Sequence, residues 1–95
     1  MTIKKLTKMP YAQAHIEIQD DNSINLFSYV TLVATINNDG WLNVYGLYSN
    51  TTRKHISAFM NEYTCLDYKT AKMCYEENIR INIYTGEIED LEIEG

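Results

Sequence analysis

Thr51-Thr52-Arg53-Lys54-His55 is the densest run of chemistry-bearing side chains in the sequence. It lies near the start of the segment Ser49 to Tyr63. There Ile56, Phe59, Met60 and Tyr63 recur at i, i+3, i+4 and i+7, one apolar stripe of a helix. Thr51 or Thr52 is suited to cap that helix. Unpaired backbone N–H groups, two hydroxyls, the Arg53 and Lys54 cations and the His55 imidazole would then converge at one helix start. That is the make-up of a phosphate or carboxylate site. Without an anion the placement is unfavourable, because a helix N-terminus already carries about half a unit of positive charge. The anion could be external. The commoner outcome is that Arg53 or Lys54 pairs weakly with an acidic group of the same chain or stays exposed.

Other reactive constellations are thin. A nucleophilic serine or cysteine needs a base and a group that orients the base. The chain has two histidines, His15 and His55, and no G-x-S-x-G elbow. Cys65 and Cys74 are not in a C-x-x-C pair and fit no zinc spacing; as free cysteines they read as small buried residues. His15 and Glu17 would share a strand face, a pattern that half-exposed strands give routinely. No G-x-x-x-x-G-K-[ST] or G-x-G-x-x-G loop is present. The expectation is a protein that is not an enzyme, with no metal and no cofactor.

The charge is uneven. The 95 residues carry a net charge of −5, which disfavours direct binding to nucleic acid and favours a basic partner surface. Lys4, Lys5 and Lys8 make residues 1–10 a basic N-terminal arm. Five of the thirteen acidic residues, Glu87, Glu89, Asp90, Glu92 and Glu94, fall in the acidic C-terminal edge strand 87–95. With Glu76 and Glu77 they form the candidate partner-binding acidic face; the ordinary alternative is a solvated edge. Eight tyrosines and Trp41 add a second signal. Tyr29, Trp41, Tyr45 and Tyr48 lie on or beside one hairpin and are candidate interface anchors, although aromatics are also ordinary strand residues.

The elements that must position these residues follow from periodicity. Ala14, Ile16 and Ile18 alternate with His15 and Glu17, a half-buried strand. Residues 24–36 read as one long central strand after the turn at 20–23. A three-residue loop, Asn38-Asp39-Gly40, sets Ile36 beside Leu42 and Ala34 beside Val44, with Gly40 in the left-handed position. A second helix fits Asp67 to Asn78, capped by Asp67, with Ala71 and Cys74 buried. Ile79, Ile81 and Ile83 define a further strand, and Thr85-Gly86 turns the chain into the last one. The parity change from Ile88 to Leu91 and Ile93 suggests a bulge at Glu89-Asp90. The sum is one α+β domain: an antiparallel sheet of a three-strand meander and a C-terminal hairpin, with two helices packed on one face. No stretch approaches the ~20 apolar residues that span a bilayer, and the N-terminus lacks a signal-peptide apolar region. A cytoplasmic location is expected, which leaves the Asn50-Thr51-Thr52 sequon without use.

Residues 28–63 resemble a small domain of unknown function from phages, plasmids and other mobile elements of Firmicutes. The likeness rests on S-Y-x-T-x-V-A followed by Y-S-x-T-T-x-K-H-I and a later F. Ser28, Tyr29, Thr31, Val33, Ala34, Tyr48, Ser49, Thr51, Thr52, Lys54, His55, Ile56 and Phe59 carry it. The resemblance implies a small accessory protein in a bacterial host, and by analogy an anti-CRISPR-type inhibitor. Its partner would be a host defence protein such as a CRISPR effector nuclease, met by a nucleic-acid mimic. The alternative is a nucleic-acid or phosphate binder using Thr51 to His55. An exposed hairpin edge could also pair with a second copy, as a homodimer.

Overall fold

The computed structural model describes residues 1–47 and 49–91. Seven antiparallel strands follow one another in spatial order: β1 (Thr2–Lys4), β2 (Ala14–Ile18), β3 (Ile24–Ser28), β4 (Thr31–Ile36), β5 (Trp41–Val44), β6 (Ile79–Asn82) and β7 (Ile88–Asp90). Two helices, α1 (Asn50–Tyr63) and α2 (Tyr68–Glu76), connect β5 to β6. The α+β class stands, and the strand count is larger than periodicity implied.

Register explains which side is buried. Ile16 lies opposite Leu26, Leu26 opposite Ala34, Ile36 opposite Leu42, and Leu42 opposite Ile81. Partners across a ladder point to the same face, so these residues form one apolar surface. α1 lies over β3 and β4, and α2 over β5 and β6. Ile56, Phe59, Met60, Ala71 and Cys74 join that surface in a single core. The opposite face carries no covering layer among the described residues. A polar row crosses it: Glu17 opposite Asn25, Asn25 opposite Thr35, Thr35 opposite Asn43.

The meander differs from expectation in its middle. Residues 24–36 are two strands joined by a tight turn at Tyr29-Val30, where Tyr29 takes φ 57°. Nothing in the alternation announces this turn, because it contains no Gly, Pro, Asn or Asp. Its energetic support is tertiary: the Tyr29 N–H donates to the Gln13 carbonyl at 2.6 Å. A register shift between Leu26 and Phe27 lets both Val33 and Ala34 be buried. The N-terminal arm is also partly ordered. Thr2–Lys4 pairs with β2, and Leu6 is fully buried. At the other end, Ile88, Glu89 and Asp90 pair regularly with β6, so the bulge expected at Glu89-Asp90 is absent from the described residues.

The β4–β5 turn forms as its residues dictate. Gly40 takes φ 93°, and the register sets Ile36 beside Leu42 and Ala34 beside Val44. The Asn37 side chain accepts from the Asp39 and Trp41 N–H groups at 3.0 and 2.9 Å. Asp67 caps α2 by accepting from the Thr70 N–H at 3.1 Å.

Candidate functional site

α1 begins two or three residues earlier than its threonines suggested. Ser49, in extended conformation, is the cap, and its hydroxyl accepts from the Thr52 N–H at 3.1 Å. Neither Thr51 nor Thr52 can serve, since both already have helical neighbours on their N-terminal side. Arg53 and Lys54 therefore stand at the fourth and fifth helical positions, where the unfavourable effect of the helix dipole is weaker.

The five residues Thr51 to His55 divide between two environments. Thr51, Arg53 and Lys54 are exposed, whereas Thr52 and His55 are 3% and 1% exposed and point into the core. Helical geometry accounts for the division: 52, 55, 56, 59 and 60 form one stripe. The Ser28 hydroxyl, at the end of β3, lies 2.8 Å from His55 Nδ1 and 3.1 Å from Thr52 Oγ1. The Ser49 hydroxyl lies 3.3 Å from Thr52 Oγ1. The cluster thus runs from the α1 cap to the last residue of β3. Burial pushes the His55 imidazole below its ordinary pKa, which favours the neutral ring. The Tyr29 ring stands over it, centroids 6.0 Å apart.

A serine hydroxyl on an imidazole nitrogen is the contact used to activate a nucleophile. Here Ser28 is 2% exposed and its oxygen already has two partners, so no substrate atom can reach it without repacking. The arrangement instead pins α1 to the sheet. Periodicity missed Ser28 as the partner of His55, although the motif S-Y-x-T-x-V-A…T-T-x-K-H-I contains both residues.

The basic N-terminal arm does not join Arg53 and Lys54. The Thr7 N–H donates to Glu62 Oε1 at 2.7 Å. Glu62 lies eight residues beyond Lys54 on α1, about 12 Å at the helical rise. The two basic groups meet opposite ends of that helix.

The acidic residues fare differently. β7 pairs with β6, and the Leu91 N–H donates to the Asn78 carbonyl at 2.9 Å. This sets Asp90 and Leu91 beside the end of α2, where Glu76 is the last helical residue and Glu77 the C-cap. Glu76, Glu77, Glu87 and Asp90 are exposed and have no ion pair among the described residues. Glu89 is committed elsewhere: Arg80 donates to it at 2.5 and 2.9 Å while lying 4.5 Å over the Trp41 ring. Glu92 and Glu94 lie outside the described residues, as does Tyr48.

The candidate aromatics do not make one row. Trp41 is half-buried beneath Arg80, at the start of β5. Tyr45, just past the end of that strand, and Tyr29, at the β3–β4 turn, are 48% and 52% exposed. A shallow cavity of about 290 Å³ lies between the end of α1 and the residues after β6, lined by Glu62, Tyr63, Thr64, Cys65, Ile83 and Tyr84. Burial, reinforced by the Glu62 carboxylate, pushes the Tyr63 hydroxyl up to about 12. Among the described residues no group of three or more His, Cys, Asp or Glu side chains could hold a metal ion. No helix there is long and apolar enough to cross a membrane.

Residues 1–79 match the model of a family of unknown function, DUF8033, and the chain belongs to that family. The match spans the buried Ser28–Thr52–His55 cluster and ends at the first residue of β6, before the acidic strand β7. No curated protein and no solved structure matches the chain significantly.

Proposed function

We propose that the chain is a non-catalytic binding protein whose acidic edge, Glu76, Glu77, Glu87 and Asp90, engages a basic surface on a protein partner. The observation that carries this reading is the Leu91–Asn78 bond together with the Ile79–Asp90 pairing, which brings the end of β7 close to the turn after α2, so that Asp90 approaches Glu76 and Glu77 while Glu87 extends the acidic edge at the other end of β7. A second feature supports it. Glu76 and Glu77 stand at a helix C-terminus, which already carries about half a unit of negative charge. α2 has no basic residue in its last turn to offset them. A partner's lysines and arginines would supply that missing charge.

The partner class is a basic, nucleic-acid-binding host defence protein. The sequence likeness to mobile-element proteins suggests a CRISPR effector nuclease, blocked by a surface that stands in for nucleic acid. Replacing Glu76, Glu77 and Asp90 with glutamine should weaken binding to such a nuclease and flatten its salt dependence, since fewer charge contacts remain to be screened. Unchanged affinity in that triple variant would remove the acidic edge from the interface. The reading through Arg53 and Lys54 predicts the reverse pattern: binding to free DNA or RNA that Lys54→Ala abolishes.

A further inference from the structure

Among the described residues both edges of the sheet are open, and their charges are opposite. β1 carries Lys4, followed by Lys5, and every residue of β1 is exposed. β7 carries Glu89 and Asp90, preceded by Glu87, and is exposed throughout. Among the described residues each strand pairs on one side only, with β2 and with β6. Each also shows an isoleucine to solvent, Ile3 at 61% and Ile88 at 56%. A row of unpaired backbone groups is a template for another strand.

We propose that these two edges recognise each other between copies: β1 of one molecule adds to β7 of the next. Charge selects this pairing. β1 against β1 brings the lysines of both copies to one seam, and β7 against β7 does the same with carboxylates. Only the mixed contact joins opposite signs. Topology fixes its direction. In an antiparallel meander of seven strands the first and last run the same way. A copy that continues the sheet with its helices on the same side therefore pairs in parallel. Faces match as well. Lys4 lies opposite Ile16 and Asp90 opposite Ile79, both residues of the helix-covered face. With Thr2–Lys4 beside Ile88–Asp90, Lys4 comes beside Asp90 and Thr2 beside Ile88.

The contact is head-to-tail, so it does not close on itself as a two-fold dimer. A sheet twists by about 20–25° per strand, so seven strands turn each copy by about 140–175° relative to the last. That rotation gives an open, winding chain of molecules. Three-residue parallel edges hold weakly, so the assembly is concentration-dependent. It does not depend on the partner reading, although it would cover part of the same acidic edge.

Sedimentation velocity on the protein alone, from micromolar to millimolar, tests the proposal. Wild type should sediment faster as concentration rises, and less so in high salt. Lys4→Glu alone and Asp90→Lys alone should each stay monomeric several-fold higher in concentration. An equimolar mixture of the two should recover association, because each variant then offers the charge the other lacks. The double variant carrying both changes should recover it unmixed. A wild type that stays monomeric throughout overturns the proposal, as does association that survives both single changes or a mixture that fails to recover. Glu76→Gln and Glu77→Gln lie outside the β1–β7 contact. They should leave self-association unchanged while weakening binding to a basic partner, which separates the two ideas.

Discussion

Ser28→Ala should be the most damaging one-atom change in the sheet. The hydroxyl is 2.8 Å from His55 Nδ1 and 3.1 Å from Thr52 Oγ1, and all three residues are at most 3% exposed. Water cannot replace what is lost. A net hydrogen bond contributes about 1 kcal/mol, and a buried polar group left unpaired costs about 1–3 kcal/mol. Thr52 Oγ1 keeps Ser49 as a partner, so the penalty falls mainly on His55 Nδ1. The sum is about 2–3 kcal/mol, or a Tm lower by roughly 10–20 °C at this chain length. Urea unfolding of Ser28→Ala, His55→Leu and the double variant gives the coupling directly. With His55 replaced by leucine, removing the Ser28 hydroxyl strands no imidazole nitrogen, so the coupling should exceed about 1 kcal/mol. A Ser28→Ala effect below about 0.5 kcal/mol, or additive single effects, would refute the view that this cluster holds α1 to the sheet.

The remaining expectations concern charge, thiols and one turn. Folding lowers the pKa of His55, so the unfolded chain binds its proton more readily. Stability from this group is full above the ordinary histidine value of about 6.5 and declines as pH falls below it; urea midpoints at pH 7.5 and 5.5 should show the decline, and His55→Leu should reduce it. Burial pushes the Cys74 thiol up to about 11, while Cys65 is exposed. At pH 8 about one Cys74 in a thousand would be thiolate, so iodoacetamide should label Cys65 alone, as read by peptide mass. Gly40→Ala should cost about 1–2 kcal/mol, because φ is 93° and the new Cβ would overlap the Tyr84 ring. Adding Tyr84→Ala should relieve only the steric part, as measured by thermal melts. Glu76→Lys should raise stability by about 0.3–1 kcal/mol, since it puts a cation at a helix C-terminus.

The sequence was most legible where periodicity and turn chemistry agree. Asn38-Asp39-Gly40 sets a register that the ladder repeats residue for residue, and Asp67, Ala71 and Cys74 fall where a capped amphipathic helix puts them. It was least legible where tertiary contacts override local signals. Tyr29 turns left-handed because its N–H finds Gln13, a partner just ahead of β2. Thr2–Lys4 is three exposed residues whose only cue to strand formation is the neighbour they pair with. His55 looked like part of a basic cluster because its neighbours in sequence are Arg53 and Lys54. The helical stripe assigns it to the core, and Ser28 supplies the partner that makes its burial tolerable. The acidic edge was visible as composition, and its two halves are joined by tertiary contacts, the Asn78–Leu91 bond and the Ile79–Asp90 pairing.

The most direct test of the acidic edge is a binding titration against a guide-loaded CRISPR nuclease and against free DNA and RNA, at low and physiological salt. The wild type is expected to bind the nuclease and not the free nucleic acid. The variant Glu76→Lys, Glu77→Lys, Asp90→Lys should lose nuclease binding while melting at a higher temperature. Wild-type affinity in that variant, no binding of the wild type to the nuclease at either salt, or binding to free nucleic acid that Lys54→Ala removes, would each contradict a partner surface built on those carboxylates.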